Sequence, residues 1–260
     1  MLYIFPKVRY FYLIFLIPTL SFSQIRDDSF YLFKKYINKN DTLNYRLLEP
    51  YSKTNKKEPL LIFLHGSGER GDDNKSQLIH GGDFFLKQTE LIEFNSYVVF
   101  PQCKKNSRWS NHKIDPWISS EKYEKNSLSS NSEMLIQLIS FLISKYNIDK
   151  KRVYLMGLSM GGYGTFDLTS KMPKIFAAAV PICGGANLDI LDNASTVPHW
   201  IFHGELDEVV PVQKSQEAFD LLSKKHSHHI YTEYKNVYHN SWENVFEEGK
   251  FMEWLFSKTL

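Results

Sequence analysis

The chain has 260 residues, 43% hydrophobic and 23% charged, which suits one domain with a substantial core. Its formal net charge at pH 7 is +2, so nothing in the charge balance argues for a nucleic-acid partner. The aromatic share of 15% is high and fits either a stacking surface or a core.

The first 23 residues differ from the rest. Lys7 and Arg9 precede an uncharged run from Tyr10 to Leu20, and Ser21-Phe22-Ser23 leads into Gln24. A basic start, a short apolar stretch and a small-residue end predict a cleavable secretory signal over 1–23, with 24–260 as a single domain. The competing reading, an uncleaved membrane anchor, is disfavoured because the run is short and Pro18 interrupts it. No cysteine lies near the cut, which argues against a lipoprotein. Removing the stretch takes away Lys7 and Arg9 and no anion, which brings the cations to parity with the 29 anions.

Residues 30–37 and 42–48 predict two strands across the Asn38-Lys39-Asn40-Asp41 turn. Leu60 to Leu64 is a continuous apolar run ending at His65-Gly66, which fits a strand buried on both faces. Residues 77–94 read as a helix interrupted at Gly81-Gly82, and 97–100 as a buried strand stopped by Pro101. The polar stretch 104–128 carries Trp109, Trp117 and Tyr123; it is too long for a minimal connection and reads as a functional loop. Asn131 or Ser132 caps the next helix, whose apolar stripe runs through Met134, Leu135, Leu138, Ile139, Leu142 and Ile143. Val153 to Met156 is a strand running into Gly157, and 162–171 is a helix. Residues 176–182, 199–203 and 230–234 are further strands; 212–225 and 241–257 are helices.

Strands separated by helices imply a parallel sheet covered on both sides. Two strands at the start and an expected total of eight match the α/β-hydrolase fold: a mostly parallel eight-stranded sheet with helices on both faces. In such sheets ligands bind at the C-terminal strand ends.

Gly157-Leu158-Ser159-Met160-Gly161 fits G-x-S-x-G after a strand and before a helix. A strained turn there projects the Ser159 hydroxyl, the glycines avoid collision with neighbouring backbone, and Met160 supplies an N–H to an oxyanion hole. Serine needs a base. Of the later histidines, His199, His226, His228 and His229 precede strands, at the wrong end of the sheet, and His203 lies in a strand-end His-Gly turn. His239 follows the last strand and is the expected base. Asp207, just past the seventh strand, is the expected acid, with Glu205 and Glu208 as runners-up.

His65-Gly66-Ser67-Gly68-Glu69-Arg70-Gly71 follows the third strand, where the second oxyanion donor is expected: the Ser67 N–H, with Gly68 as alternative. Glu69 and Arg70 either form an ion pair that holds this loop or are exposed. A phosphate-binding loop is a weak rival, since the Gly-Lys-Ser/Thr ending is missing.

These motifs, together with Phe100-Pro-Gln-Cys, Trp109-Ser, Val180-Pro-Ile-Cys-Gly-Gly, the Gly204 to Pro211 turn and His239-Asn-Ser-Trp, resemble one group in their order. That group is the secreted bacterial esterases of the α/β-hydrolase superfamily described as predicted peptidases or phospholipase/carboxylesterases. They are similar to the catalytic domain of prolyl oligopeptidases and to feruloyl and acetylxylan esterases. The resemblance covers about residues 40–257 and implies the triad Ser159, Asp207 and His239. The expected activity is serine ester hydrolysis without cofactor, on a small-molecule or carbohydrate ester carrying acyl or feruloyl groups. A peptidase of short peptides is the alternative, disfavoured because residues 24–50 supply only strands where a propeller would be needed. A non-catalytic carbohydrate- or partner-binding module is the alternative from another class. Trp109 and Trp242 are candidates for stacking on a sugar or aromatic acyl group, with anchoring of core or loop as the competing role.

Cys103 follows the fourth strand and Cys183 the sixth, with the third and fifth strands expected between them. Three spacings of ~4.8 Å put them on the order of 14 Å apart, beyond the ~7 Å limit for a disulfide, so both are expected to be free, buried thiols. His226-Ser-His228-His229 reads as a polar turn, with no metal site expected.

Overall fold

In the computed structural model, residues 30–39, 41–52, 54–91, 94–111 and 127–260 are described. The expected leader over 1–23, and Trp117 and Tyr123 in the long loop, lie outside these residues.

Eight strands form one sheet: β1 Leu32–Asn38, β2 Asp41–Leu48, β3 Glu58–Leu64, β4 Tyr97–Pro101, β5 Ile148–Leu158, β6 Ala178–Ile182, β7 Trp200–Gly204 and β8 Ile230–Tyr234. Their order is β1-β2-β4-β3-β5-β6-β7-β8. The β1–β2 and β2–β4 pairs are antiparallel, and the rest are parallel. The helices are α1 Gly82–Thr89, α2 Ser130–Lys145, α3 Met160–Lys171, α4 Leu188–Leu191, α5 Gln213–Ser223, α6 Trp242–Glu248 and α7 Phe251–Phe256. This is the α/β-hydrolase fold. Among the described residues no helix is long and apolar enough to cross a membrane.

The apolar run of β3 explains why the sheet must be covered twice. Side chains alternate along a strand. Leu61 and Phe63 join one core with α1, α6 and α7, while Leu60, Ile62 and Leu64 join the other with α2 and the start of α3. Strand β5 divides the same way: Tyr154, Met156 and Leu158 on one side, Val153 and Leu155 on the other.

The structure corrects several boundaries. The cap of α2 is Ser129, not Asn131 or Ser132: its Oγ accepts the Ser132 N–H, because only residue 129 keeps extended backbone (ψ 156°) before the first turn. The stretch expected over 77–94 as a helix interrupted at Gly81-Gly82 is parted at Gly81, whose φ is 90°; what differs is that the piece before it is a 3-10 turn at Ser76–Leu78 and α1 ends at Thr89. The helix expected over 241–257 breaks at Gly249, which adopts φ 62° and returns its N–H to Val245 O, a left-handed C-cap that ends α6. Strand β5 is longer than read, starting at Ile148 where charged residues hid it.

Candidate active site

The turn from β5 into α3 carries Ser159 at φ 53° and ψ −117°, a conformation that costs ~1–3 kcal/mol and persists only when its surroundings impose it. The surroundings are backbone. A side-chain carbon at Gly157 would sit 2.4 Å from Gly161 O, and one at Gly161 would sit 2.0 Å from Leu64 O. The Ser159 N–H is held by Ile182 O at 2.9 Å. Met160 opens α3, so its N–H has no partner four residues back within the helix and lies at the positive end of the helix. The loop after β3 runs alongside: a side chain on Gly66 would come within 3.6 Å of the Ser159 Cβ. Ser67, next in the chain, begins the 3-10 turn Ser67–Glu69 at this place, and Gly68 is exposed.

His239 follows β8, and its Nε2 lies 2.9 Å from Ser159 Oγ. Its Nδ1 lies 2.7 Å from Asp207 Oδ2. A carboxylate only accepts, so Nδ1 carries the hydrogen and Nε2 is left free to accept the Ser159 proton. Asp207 is fixed in turn. Its Oδ1 accepts the N–H groups of Val209 and Val210, both at 2.9 Å. Burial by itself would raise this carboxyl, but hydrogen bonds from His203, His239 and the Val210 N–H outweigh it and hold the group well below the usual carboxylate range.

Why Asp207 and not its neighbours follows from their partners. Glu205 accepts the N–H of Asn236, a residue at φ 59°, and so braces the turn that delivers His239. The same turn is pinned by Leu206 N–H to Val237 O at 2.9 Å and Glu205 N–H to Tyr234 O at 3.0 Å. Glu208 is exposed. His203, set aside on sequence grounds, lies against Asp207 with Nε2 at 3.1 Å from Oδ2. The His203-Gly204 turn was the one available signal for it.

The two tryptophans part company. Trp109 is fully buried, which leaves it no surface to offer a substrate. It corrects the stacking expectation: the ring packs where Gly164 has no side chain, since one there would be 2.3 Å from the Trp109 Cβ. Its Nε1 donates to His65 O at 3.1 Å, and its carbonyl is held by Ser129 and Ser132. Trp109 therefore anchors the start of the long loop. Trp242 stands edge-on to His239 with ring centroids 5.6 Å apart, and on its other side 5.0 Å from His80. Its indole N–H is buried without a hydrogen-bond partner.

The charges of the loop after β3 meet neither expectation. Glu69 is buried and faces His80 Nε2 at 3.6 Å, while Arg70 donates to the carbonyls of Ser67 at 2.9 Å and Ser107 at 3.3 Å. Arg70 thus ties the loop to backbone instead of to Glu69. His65 is a structural histidine: Nδ1 donates to Gly66 O at 2.6 Å, Nε2 accepts the Cys103 N–H at 2.9 Å, and burial pushes its pKa down to about 4.

Cys103 and Cys183 are buried and form no disulfide, with β3 and β5 between their strands. The Cys183 Sγ lies within 4.8 Å of ligand atoms on Asp207 and His239. Burial raises its thiol pKa, so it stays protonated beside the carboxylate. His228 and His229 both direct Nε2 to Ser195 O at 3.1 Å, as residues of a polar turn.

Comparison with known proteins places this geometry. A solved thermostable esterase is 33% identical and superposes with a TM-score of 0.82, covering 89% of this chain and 64% of that one. A bifunctional acetylxylan esterase/xylanase of Neocallimastix patriciarum is 38% identical over 84 residues, 32% of this chain and 12% of that protein. Feruloyl esterase B of Neurospora crassa is 34% identical over 64 residues, 25% of this chain and 22% of that protein. The chain thus matches less than a quarter of the length of these two curated relatives. The family match is broader: residues 48–253 fit the phospholipase/carboxylesterase family, and the chain belongs to it.

Proposed function

We propose that the chain is a serine hydrolase that cleaves carboxylic esters through an acyl-enzyme on Ser159. The observation that carries this reading is the continuous hydrogen-bond path from Ser159 Oγ to His239 Nε2 at 2.9 Å and from His239 Nδ1 to Asp207 Oδ2 at 2.7 Å. Ser159 Oγ attacks the ester carbonyl while His239 Nε2 takes its proton. The Met160 and Ser67 N–H groups receive the negative oxygen of the tetrahedral intermediate. Asp207 stabilises the imidazolium without taking its proton. The bond to the alcohol oxygen then breaks, and His239 returns the proton to it. Water, deprotonated by the same nitrogen, attacks the acyl carbonyl; the bond to Ser159 Oγ breaks, His239 returns the proton to Oγ, and the carboxylic acid is released. The cycle balances with water as the only co-reactant.

The relatives named as acetylxylan and feruloyl esterases support an acylated carbohydrate as substrate. Trp242, beside His239, is a candidate ring for stacking. The charge and apolar pattern of residues 1–23 supports export, with 24–260 as one catalytic domain.

The test is turnover of chromogenic acetyl, butyryl and feruloyl esters by wild type and Ser159→Ala. Absence of Ser159-dependent turnover across acyl lengths and aryl esters overturns the reading. Prolyl-peptide cleavage faster than ester cleavage replaces it with the peptidase alternative.

A further inference from the structure

His203 is the group in the centre that the ester-hydrolysis cycle does not use. It is the next-to-last residue of β7, one before Gly204, and is wholly buried. Its Nε2 is 3.1 Å from Asp207 Oδ2 and 2.9 Å from Val210 O. Both are acceptors, so Nε2 must carry a hydrogen. Its Nδ1 is 2.7 Å from Ser215 Oγ on α5, and that hydroxyl is also 3.1 Å from Gly184 O. The Ser215 hydrogen can point to Nδ1 or to Gly184 O. In either setting Nε2 remains a donor to Asp207; the first also holds the neutral ring at Nδ1, while in the second Nδ1 is held only by donating a hydrogen of its own to Ser215 Oγ.

Asp207 has no exposed side-chain surface, so protein donors alone must satisfy its charge. Val209 and Val210 occupy Oδ1; His239 and His203 share Oδ2. His239 supplies one hydrogen, through Nδ1. We propose that His203 is a positioning residue of this centre, which keeps Oδ2 ionised and aimed at His239 and moderates the charge that His239 feels. The inference rests on the serine-hydrolase reading. Without His203, the carboxylate loses one of its two fixes on Oδ2, and the charge of that oxygen falls on His239 alone. The first effect slows the chemical step. The second holds the imidazolium to higher pH. Two further titratable groups face this chain of contacts. The Cys183 thiol lies behind Asp207 and His239, and Glu233 on β8 faces His203 while bound by Tyr231 and Gln216.

The experiment compares the full chain with His203→Phe, His203→Gln and Ser215→Ala. Thermal midpoint, kcat and KM are measured across pH on an ester that wild type turns over. Folded His203→Phe is expected to lose about tenfold in kcat, keep KM within about twofold, and move the acid limb of its pH profile upward by roughly half a unit. His203→Gln, whose amide reaches the region of Nε2, recovers most of this, and Ser215→Ala shows a smaller shift in the same direction. A folded His203→Phe with wild-type kcat and acid limb overturns the proposal, as does a His203→Gln no better than Phe. If the Phe variant does not fold, the Gln and Ala variants decide: a wild-type profile in Ser215→Ala together with a loss of about tenfold or more in kcat in Gln counts against it. Failure of the hydrolase reading shows separately, as absent turnover in wild type. In that case the downfield proton resonance of His239 Nδ1–H, read in the Ser159→Ala background with and without His203→Phe, reports the coupling: a shift supports it and an unmoved resonance overturns it.

Discussion

The last two parallel strands hold histidines at both ends, and the two ends differ in what surrounds the rings. At the N-terminal end His199 is fully buried, its Nδ1 donates to Val197 O at 2.7 Å, and burial first and His229 second push its pKa down to about 3. His229 is pushed to about 4 by burial and by His228. These rings are neutral packing pieces. At the C-terminal end His203 and His239 converge on Asp207, a buried anion. The residue type is the same, so the difference lies in the carboxylate and in the strand end. A parallel sheet places its ligand-binding loops at the C-terminal edge, and there Ser159 Oγ lies 2.9 Å from His239 Nε2.

Breaking the C-terminal end should cost most. Ser159→Ala is expected to lower kcat by about 10⁶-fold on a chromogenic ester, with the thermal midpoint close to wild type. Asp207→Asn is expected to cost about 10⁴-fold, because the amide leaves His239 in the wrong tautomer. It should also alter acid stability. The folded Asp207 carboxyl lies below its ordinary value, so it contributes stability above about pH 4 that is lost as pH falls through the folded value. Thermal melts of wild type should therefore steepen below about pH 4 relative to the Asn variant; parallel curves would contradict this.

The tryptophans sharpen the same contrast on a smaller scale. Trp109→Ala should cost about 3–5 kcal/mol of stability in denaturant melts, since it empties a filled site in the core. Trp242→Ala should leave stability nearer wild type and raise KM severalfold for aryl or sugar esters, by loss of the ring beside His239. A raised KM in a folded Trp109 variant with Trp242 silent would reverse the assignment.

The least effect on catalysis is expected at the N-terminal end. His199→Phe should leave kcat within about twofold. Its readout is pH-dependent stability. A histidine held below its ordinary value is neutral in the fold and protonated when unfolded, so wild type loses stability as pH drops below about 6.5 toward about 3. The Phe variant should melt with a flatter dependence over that window.

Much of this arrangement is legible from the chain alone, for reasons that are local. Ser159 declares itself because a strained turn needs glycine two residues to either side, and that demand sits within five residues. The β3 core is legible because an unbroken apolar run can only serve a strand covered on both faces. The expectation for His239 depended on topology: it is distinguished from four other histidines by lying after a strand and not before one. Asp207 against Glu205 could not be separated by position alone. The structure separates them by giving Glu205 to the Asn236 turn.

What the sequence by itself determined was the fold, the strained serine turn and the set of groups able to reach it. These follow from periodicity and short-range sterics. Only the tertiary structure decided that Trp109 is a buried anchor, that Glu69 and Arg70 serve different partners, and that His203 shares an oxygen with His239. Each of these depends on which residues far apart in the chain meet in a space where water is excluded. There, an unmet donor or charge costs enough to dictate the partner, and no local pattern records that meeting.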